Sequence, residues 1–199
     1  MKKSMLIFCL FVSFSAFGQL YESFSDGNFT VNPSWTGTAS NFKVNSAFQL
    51  QSAASTASVS WLFTPSAAIE NAVWECTFRI DYSTSSSNFA CMYLVATAEL
   101  PDPAFFYGYY GQIVATADEV SFYRKQGSVK EKLIDGTDKR TDGKTVQIRV
   151  RVTRDSLGTF RLFSKTAIET DFYFEGEVKD QQVQSSQWFG ISFTNTATT

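Results

Sequence analysis

The chain has 199 residues, a formal net charge of −2 and a hydrophobic content of 44%, which fits one domain with its own core. It contains no histidine, so histidine-based catalytic triads and histidine metal sites are excluded. Aromatic residues make up 16% of the chain, including 20 phenylalanines. Because aromatic side chains favour strands and bury large areas, this composition points towards β-structure.

The first 18 residues are expected to be a signal peptide. Lys2 and Lys3 form a basic start, and the apolar run over residues 5–14 is too short to span a membrane. Small side chains at Ala16 and Gly18 indicate cleavage after residue 18. The mature chain then holds 15 basic and 19 acidic residues, a net charge of −4. This charge argues against nucleic acid or an anionic membrane as partner, and export predicts a secreted or cell-surface protein.

The mature sequence predicts roughly a dozen short strands, because apolar and polar residues alternate between frequent turn signals. It shows no fixed repeat, no interior linker and no later apolar run long enough for a transmembrane helix. We therefore expect one all-β domain over residues 19–199, an antiparallel β-sandwich. The predicted strands are Leu20–Phe24, Phe42–Val44, Phe48–Gln51, Val59–Phe63, Val73–Asp81, Phe89–Val95, Gln112–Val114, Val120–Arg124, Val129–Ile134, Val146–Thr153, Phe160–Phe163, Phe172–Val178 and Trp188–Phe193.

The stretch Val73–Val95 predicts a central antiparallel hairpin, because two apolar strands flank a polar serine-rich run. If Asp81 pairs with Ser86, the same register places Cys76 opposite Cys91. These are the only cysteines of the mature chain, and directly opposed residues lie close enough for a disulfide. We expect that bridge. Two buried free thiols are the alternative, which a one-residue slip in register would favour.

Six segments stand out when they are taken in order: Glu22–Phe29, Asn32–Gly37, Phe48–Leu50, Trp74–Glu75, Ser85–Phe89 and Val152–Asp155. Together they resemble the start of a family of secreted bacterial proteins. The resemblance implies a jelly-roll domain similar to concanavalin A-like lectins and laminin-G domains, often followed by a lamin-tail domain and a C-terminal secretion signal. It implies no catalytic residue.

The resemblance also implies a last strand that returns beside the first. The sequence instead stops at Asn195–Thr199, without such a strand. We therefore expect a domain truncated before its last strand, and a downstream domain in the full protein. Leu20–Phe24 is then expected to lack a neighbour on one side, which would leave an aggregation-prone edge.

The sequence argues against catalysis. Jelly-roll glycoside hydrolases carry paired carboxylates on one strand, and a Glu-x-Asp-x-Glu pattern is absent from the sequence. Glu175 and Glu177 come nearest, followed by Asp118 and Glu119, and both pairs are predicted to be surface carboxylates. A hydrolase is the alternative that the sequence supports least.

Two groups of side chains are candidate ligand contacts. Tyr107, Tyr109 and Tyr110 belong to an aromatic cluster that would stack on sugar rings, and the alternative is a strand buried on both faces. Arg149 and Arg151 should project from the polar face of a strand and would hold acidic sugars. The alternative for the arginines is a solvated row paired with neighbouring carboxylates.

Asp26, in the sequence Ser-Asp-Gly-Asn, is the candidate calcium ligand, since hard cations take carboxylate oxygens on turns. A plain turn is the alternative, and no other cofactor is expected. The sequence therefore predicts a secreted or cell-surface binding module without catalytic activity, with a polysaccharide or other glycan as ligand. A structural spacer within a larger surface protein is the second hypothesis.

Overall fold

The computed structural model describes residues 19–81, 85–99, 105–114, 116–143 and 145–196. The predicted signal peptide lies outside these residues. The predicted all-β class is confirmed, since the described chain folds into antiparallel sheets with only a 3₁₀ turn at Ala39–Asn41. In those same ranges, no helix has the length and apolar character needed to cross a bilayer.

Thirteen strands lie in the described ranges, and most of them match predicted segments. They are β1 (Thr36–Gly37), β2 (Phe42–Val44), β3 (Leu50–Ser52), β4 (Ser58–Pro65), β5 (Ala72–Ile80), β6 (Phe89–Ala96), β7 (Tyr107–Ile113), β8 (Val120–Gln126), β9 (Val129–Ile134), β10 (Val146–Arg154), β11 (Thr159–Thr166), β12 (Tyr173–Lys179) and β13 (Trp188–Asn195).

Two large sheets form the sandwich. The seven-stranded sheet has the order β1-β4-β13-β6-β7-β8-β9, and the four-stranded sheet has the order β12-β11-β10-β5. Strands β2 and β3 form a small separate pair. In the seven-stranded sheet, β13 joins β4 to β6 and pairs with both.

The main core lies between the two large sheets. Strand β10 shows the origin of this core, since its alternate residues Val146, Ile148, Val150 and Val152 are all buried there. The neighbouring β11 contributes Phe160 and Leu162, and the inner faces of β6, β7 and β8 supply the opposite wall. On β10, period-two alternation therefore places apolar side chains inside the sandwich and polar ones outside it.

The predicted central hairpin is wrong. Strand β5 pairs with β10 in the four-stranded sheet, whereas β6 pairs with β13 and β7 in the other sheet. Cys76 is therefore opposite Val150, Cys91 is opposite Ser192 and Gln112, and both cysteines are free thiols. The predicted disulfide between them is absent because the chain crosses from one sheet to the other between the two strands.

The predicted strand Leu20–Phe24 is also wrong, since this segment has no strand structure. The Phe24 ring instead lies 6.4 Å from that of Trp35, which is buried in a small cluster at the β4–β13 end of the sandwich. Strand β5 is one of the edge strands in the described ranges, and it forms one side of the four-stranded sheet. Residues 19–24 and β5 line an open cleft along this edge.

Candidate functional site

Strand alternation divides the predicted tyrosine platform between the two faces of the seven-stranded sheet. Tyr109 is 0% exposed and faces the core, where its ring centroid lies 4.6 Å from that of Phe160. Its hydroxyl donates a hydrogen bond to Asp180. Tyr110 faces outward, and Tyr107 starts the strand with 43% of its surface exposed. The prediction that these side chains form one platform is therefore wrong, and the buried-strand alternative describes Tyr109.

Tyr110 belongs instead to an aromatic row that crosses the outer face of the seven-stranded sheet. The row comprises Phe63, Tyr93, Tyr110 and Tyr123, from β4, β6, β7 and β8. Consecutive ring centroids lie 5.3, 5.2 and 5.3 Å apart. The row is continuous because strand pairing sets Phe63 opposite Gly190, Gly190 opposite Tyr93, and the three tyrosines opposite one another in turn.

Gly190 allows this continuity, because β13 lies between Phe63 and Tyr93 and contributes no side chain there. A Cβ atom at position 190 would lie 2.5 Å from ring atoms of Phe63. The Phe63 ring thus occupies the space above the glycine and reaches Tyr93 on the next strand but one. A single backbone position therefore decides whether the row is joined or interrupted.

The side chains of the row are tightly packed, and different types of residue lie at its two ends. Tyr93, Tyr110 and Tyr123 are only 5–8% exposed, and burial raises the pKa of each. At the β4 end the half-buried Trp61 and Trp188 pack against the row, with the Trp61 and Phe63 centroids 5.9 Å apart. Lysine side chains lie at the other end of the row, on β9. From β4 to β9 the face spans five strand spacings, about 24 Å.

Small and polar side chains lie alongside the row on the same face. Four residues on neighbouring strands are opposite one another in turn: Ser192 on β13, Cys91 on β6, Gln112 on β7 and Ser121 on β8. Each is two residues along its strand from a tyrosine of the row or, on β13, from Gly190. All four are buried. Aromatic ring edges, hydroxyls and an amide therefore lie on one surface. This combination orients a polar ligand over apolar rings.

The predicted arginine contacts lie on the other sheet. Arg149 and Arg151 project from the outer face of the four-stranded sheet and both form ion pairs with Glu75. The Arg151 guanidinium also lies 3.9 Å from the centre of the Phe172 ring. The structure thus favours the alternative for these residues, a row paired with carboxylates, and it does not bring them near the aromatic row.

Asp26 forms a turn. Its carboxylate accepts hydrogen bonds from the backbone N–H of Asn28 at 3.1 Å and from the Asn28 side chain at 2.7 Å. Gly27 follows it with φ +79°, as such a turn requires. Across the described ranges, no group of three or more cysteine, aspartate or glutamate side chains is placed to hold a metal ion. The geometry therefore favours the turn alternative for Asp26.

The two thiols should react slowly with alkylating reagents while the protein is folded. Burial raises the pKa of the Cys91 thiol to about 12, and the pKa of Cys76 rises in the same direction, so little reactive thiolate exists near pH 8. Iodoacetamide followed by mass spectrometry should show little labelling in buffer and labelling of both residues in urea without reductant. A protein that resists labelling in urea until reductant is added would contain the predicted disulfide instead.

Sequence reasoning missed Trp61, Phe63, Tyr93 and Tyr123 as members of one surface. Each lies in a predicted strand, and the alternation in those strands indicates that Trp61 and Phe63 share a face. The local sequence pattern indicates no more than this, because it does not show that four strands from distant parts of the chain lie side by side.

The chain is similar in fold to carbohydrate-binding domains of known structure. The carbohydrate-binding module CBM66 from Bacillus subtilis aligns with a TM-score of 0.57 at 11% identity, over 82% of this chain and 92% of that one. The exoplasmic/lumenal domain of VIP36, solved with calcium and Man3GlcNAc, aligns with a TM-score of 0.60 at 10% identity, over 85% and 79%. A mutant of the Emp46p carbohydrate recognition domain aligns with a TM-score of 0.59 at 11% identity, over 84% and 83%.

These similarities establish the fold, an antiparallel jelly-roll sandwich of the lectin type. No protein-family model and no curated protein sequence matches the chain. The resemblance to lamin-tail proteins in particular is not confirmed.

Proposed function

We propose that the protein is an exported binding module without catalytic activity that holds a glycan against the outer face of the seven-stranded sheet. The aromatic row carries this proposal, because it is continuous across the sheet and is flanked by hydrogen-bonding groups. Sugar rings pack their apolar faces on aromatic surfaces, while their hydroxyls need polar partners. The half-buried Trp61 and Trp188 supply rings that are more accessible than those of the row itself. The fold shared with carbohydrate-binding domains supports the same ligand class.

The described carboxylates support a binding role over hydrolysis. Glu175 lies beside Ser164 and Arg140, and Glu177 pairs with Arg161. Both candidate catalytic carboxylates are therefore held by polar contacts on the four-stranded sheet. Glu119, predicted to be a surface carboxylate, is instead buried immediately before β8 and pairs with Lys132 at 2.8 Å. A glycosidase needs two carboxylates facing one cleft, and these three do not provide such a pair.

The Trp61→Ala variant should weaken polysaccharide binding by about tenfold, since a lost aromatic contact costs about 0.5–1.5 kcal/mol beyond its buried area. Affinity electrophoresis through gels containing single polysaccharides, with and without calcium, measures the effect. Phe174→Ala is the matched control, because Phe174 is 48% exposed on the four-stranded sheet. Trp61→Phe should retain part of the binding. If the wild-type protein migrates freely through every gel, the proposal fails.

A spacer that holds a downstream domain away from the cell surface is the second candidate. The low exposure of the three tyrosines favours it, because tightly packed rings also stiffen a sheet without any ligand. The same gels distinguish the two functions, since a spacer would bind none of the polysaccharides. In a spacer, the Trp61→Ala substitution would change only the stability of the protein.

A further inference from the structure

The outer face of the seven-stranded sheet ends in two lysines at directly opposed strand positions. Lys125 on β8 is directly opposite Lys130 on β9, and both share the face of the aromatic row. Like charges at directly opposed positions destabilise a sheet. The pair therefore costs folding free energy, unless something outside the chain neutralises it.

Neither lysine has a carboxylate partner in the described chain. The Lys130 ammonium donates to the Gln112 Oε1 atom at 2.8 Å and lies 4.1 Å from the centre of the Tyr123 ring. Lys125 Nζ lies 5.5 Å from the centre of the Phe106 ring. The adjacent Lys132, by contrast, pairs with Glu119 at 2.8 Å and with Asp135.

The aromatic rings hold the Lys130 ammonium in place at the end of the row. An ammonium over a tyrosine face is attracted by the ring quadrupole, and the hydrogen bond to Gln112 fixes its direction. Burial lowers the pKa of Lys130, and the charges of Lys132 and Lys125 act in the same direction. The isolated Lys43 and Lys179 have neither an opposed lysine nor a ring contact in the described chain. Lys125 and Lys130 thus form a preorganised cationic end to the binding face.

We infer that the ligand is an anionic glycan, whose carboxylate or sulfate lies between Lys125 and Lys130 while its sugar rings lie along the aromatic row. This inference rests on the proposed function and names its ligand class. A lysine ammonium is a compact point charge that accepts either anion, so the shared chemistry is a negatively charged substituent on a sugar.

Matched pairs of polysaccharides test the inference. Polygalacturonate carries free carboxylates where its fully methyl-esterified form carries neutral methyl esters, and dextran sulfate and dextran differ only in the sulfate. Wild-type protein should bind the charged member of at least one pair more tightly. That affinity should fall by about tenfold between about 50 and about 200 mM salt, as two released counterions require. The pair that shows the preference identifies the anion.

The variant Lys125→Gln/Lys130→Gln should lose at least about tenfold in affinity for the charged polymer, and should lose much less in affinity for any neutral one. Lys43→Gln/Lys179→Gln removes the same charge from two exposed sites away from this face, and should bind as wild type. An equal loss in both double variants would mean a general charge effect, and would overturn the inference. Equal binding of charged and neutral polymers would also overturn it but leave the proposed function standing, whereas binding to none of the polymers would overturn both.

Discussion

The Phe160→Ala variant should lower the free energy of unfolding by about 3–5 kcal/mol, the usual cost of truncating a fully buried phenylalanine. Phe160 is 0% exposed on β11. Its ring centroid lies 4.6 Å from that of Tyr109 and 4.9 Å from that of Phe122, on the facing sheet. The side chain thus joins the two sheets, and its loss leaves a cavity that neither sheet can fill alone. Urea unfolding followed by circular dichroism measures the change.

The control for this effect is Phe174→Ala on the neighbouring strand β12. Phe174 is 48% exposed, and its ring centroid lies 5.5 Å from that of Phe163 on the outer side of the same sheet. Its truncation should cost less than about 1 kcal/mol, because surface substitutions change stability little. Equal shifts of the urea midpoint in the two variants would show that the core does not lie between the sheets at Phe160.

The Gly190→Ala variant should cost about 1–3 kcal/mol of stability, because the new methyl group overpacks the space that the Phe63 ring occupies. The displaced ring would also separate Phe63 from Tyr93, so the variant should bind polysaccharide more weakly. Thermal unfolding and affinity electrophoresis on the same preparations measure both effects.

Gly111→Ala is the matched control, since Gly111 also lies inside a strand of the same sheet, and a Cβ atom there meets nothing within 4 Å. It should be neutral or stabilise the protein by up to about 1 kcal/mol, because alanine restricts the unfolded chain. The double variant Phe63→Ala/Gly190→Ala should recover part of the cost of Gly190→Ala, because the methyl group then fills space that the ring has left. A Gly190→Ala protein as stable as wild type would show that Phe63 does not need this space.

The positions of the strands could be predicted from the sequence because they depend on local patterns. Strand β10 shows this, since the alternation over Val146–Thr153 matches its observed span almost to the residue. The partners of β5 and β6 could not be predicted in this way. Both are apolar and separated by a short polar run, and only long-range packing decides whether such strands pair with each other or join different sheets.

The candidate site was predicted only in part for the same reason. Tyr110 was identified from its aromatic neighbours, and alternation alone separates it from Tyr109. The rest of the aromatic row depends on strand register, which brings Phe63, Tyr93 and Tyr123 level with Tyr110 across strands distant in sequence. Lys125 and Lys130 are a special case. Lys130 lies in a predicted strand and Lys125 directly follows one, but their opposed positions become meaningful only once the row beside them is known.

The place of β13 in the seven-stranded sheet sets the timing of folding. Strand β13 joins β4 to β6, and its Asn195 pairs with Ser58, 137 positions earlier. The two halves of the sheet therefore stay apart until β13 has been synthesised, and closing so long a loop is slow. Until then β4 and β6 have open edges that invite pairing with other chains. Assembly of this sheet is therefore the step of folding at which the chain is most exposed to aggregation.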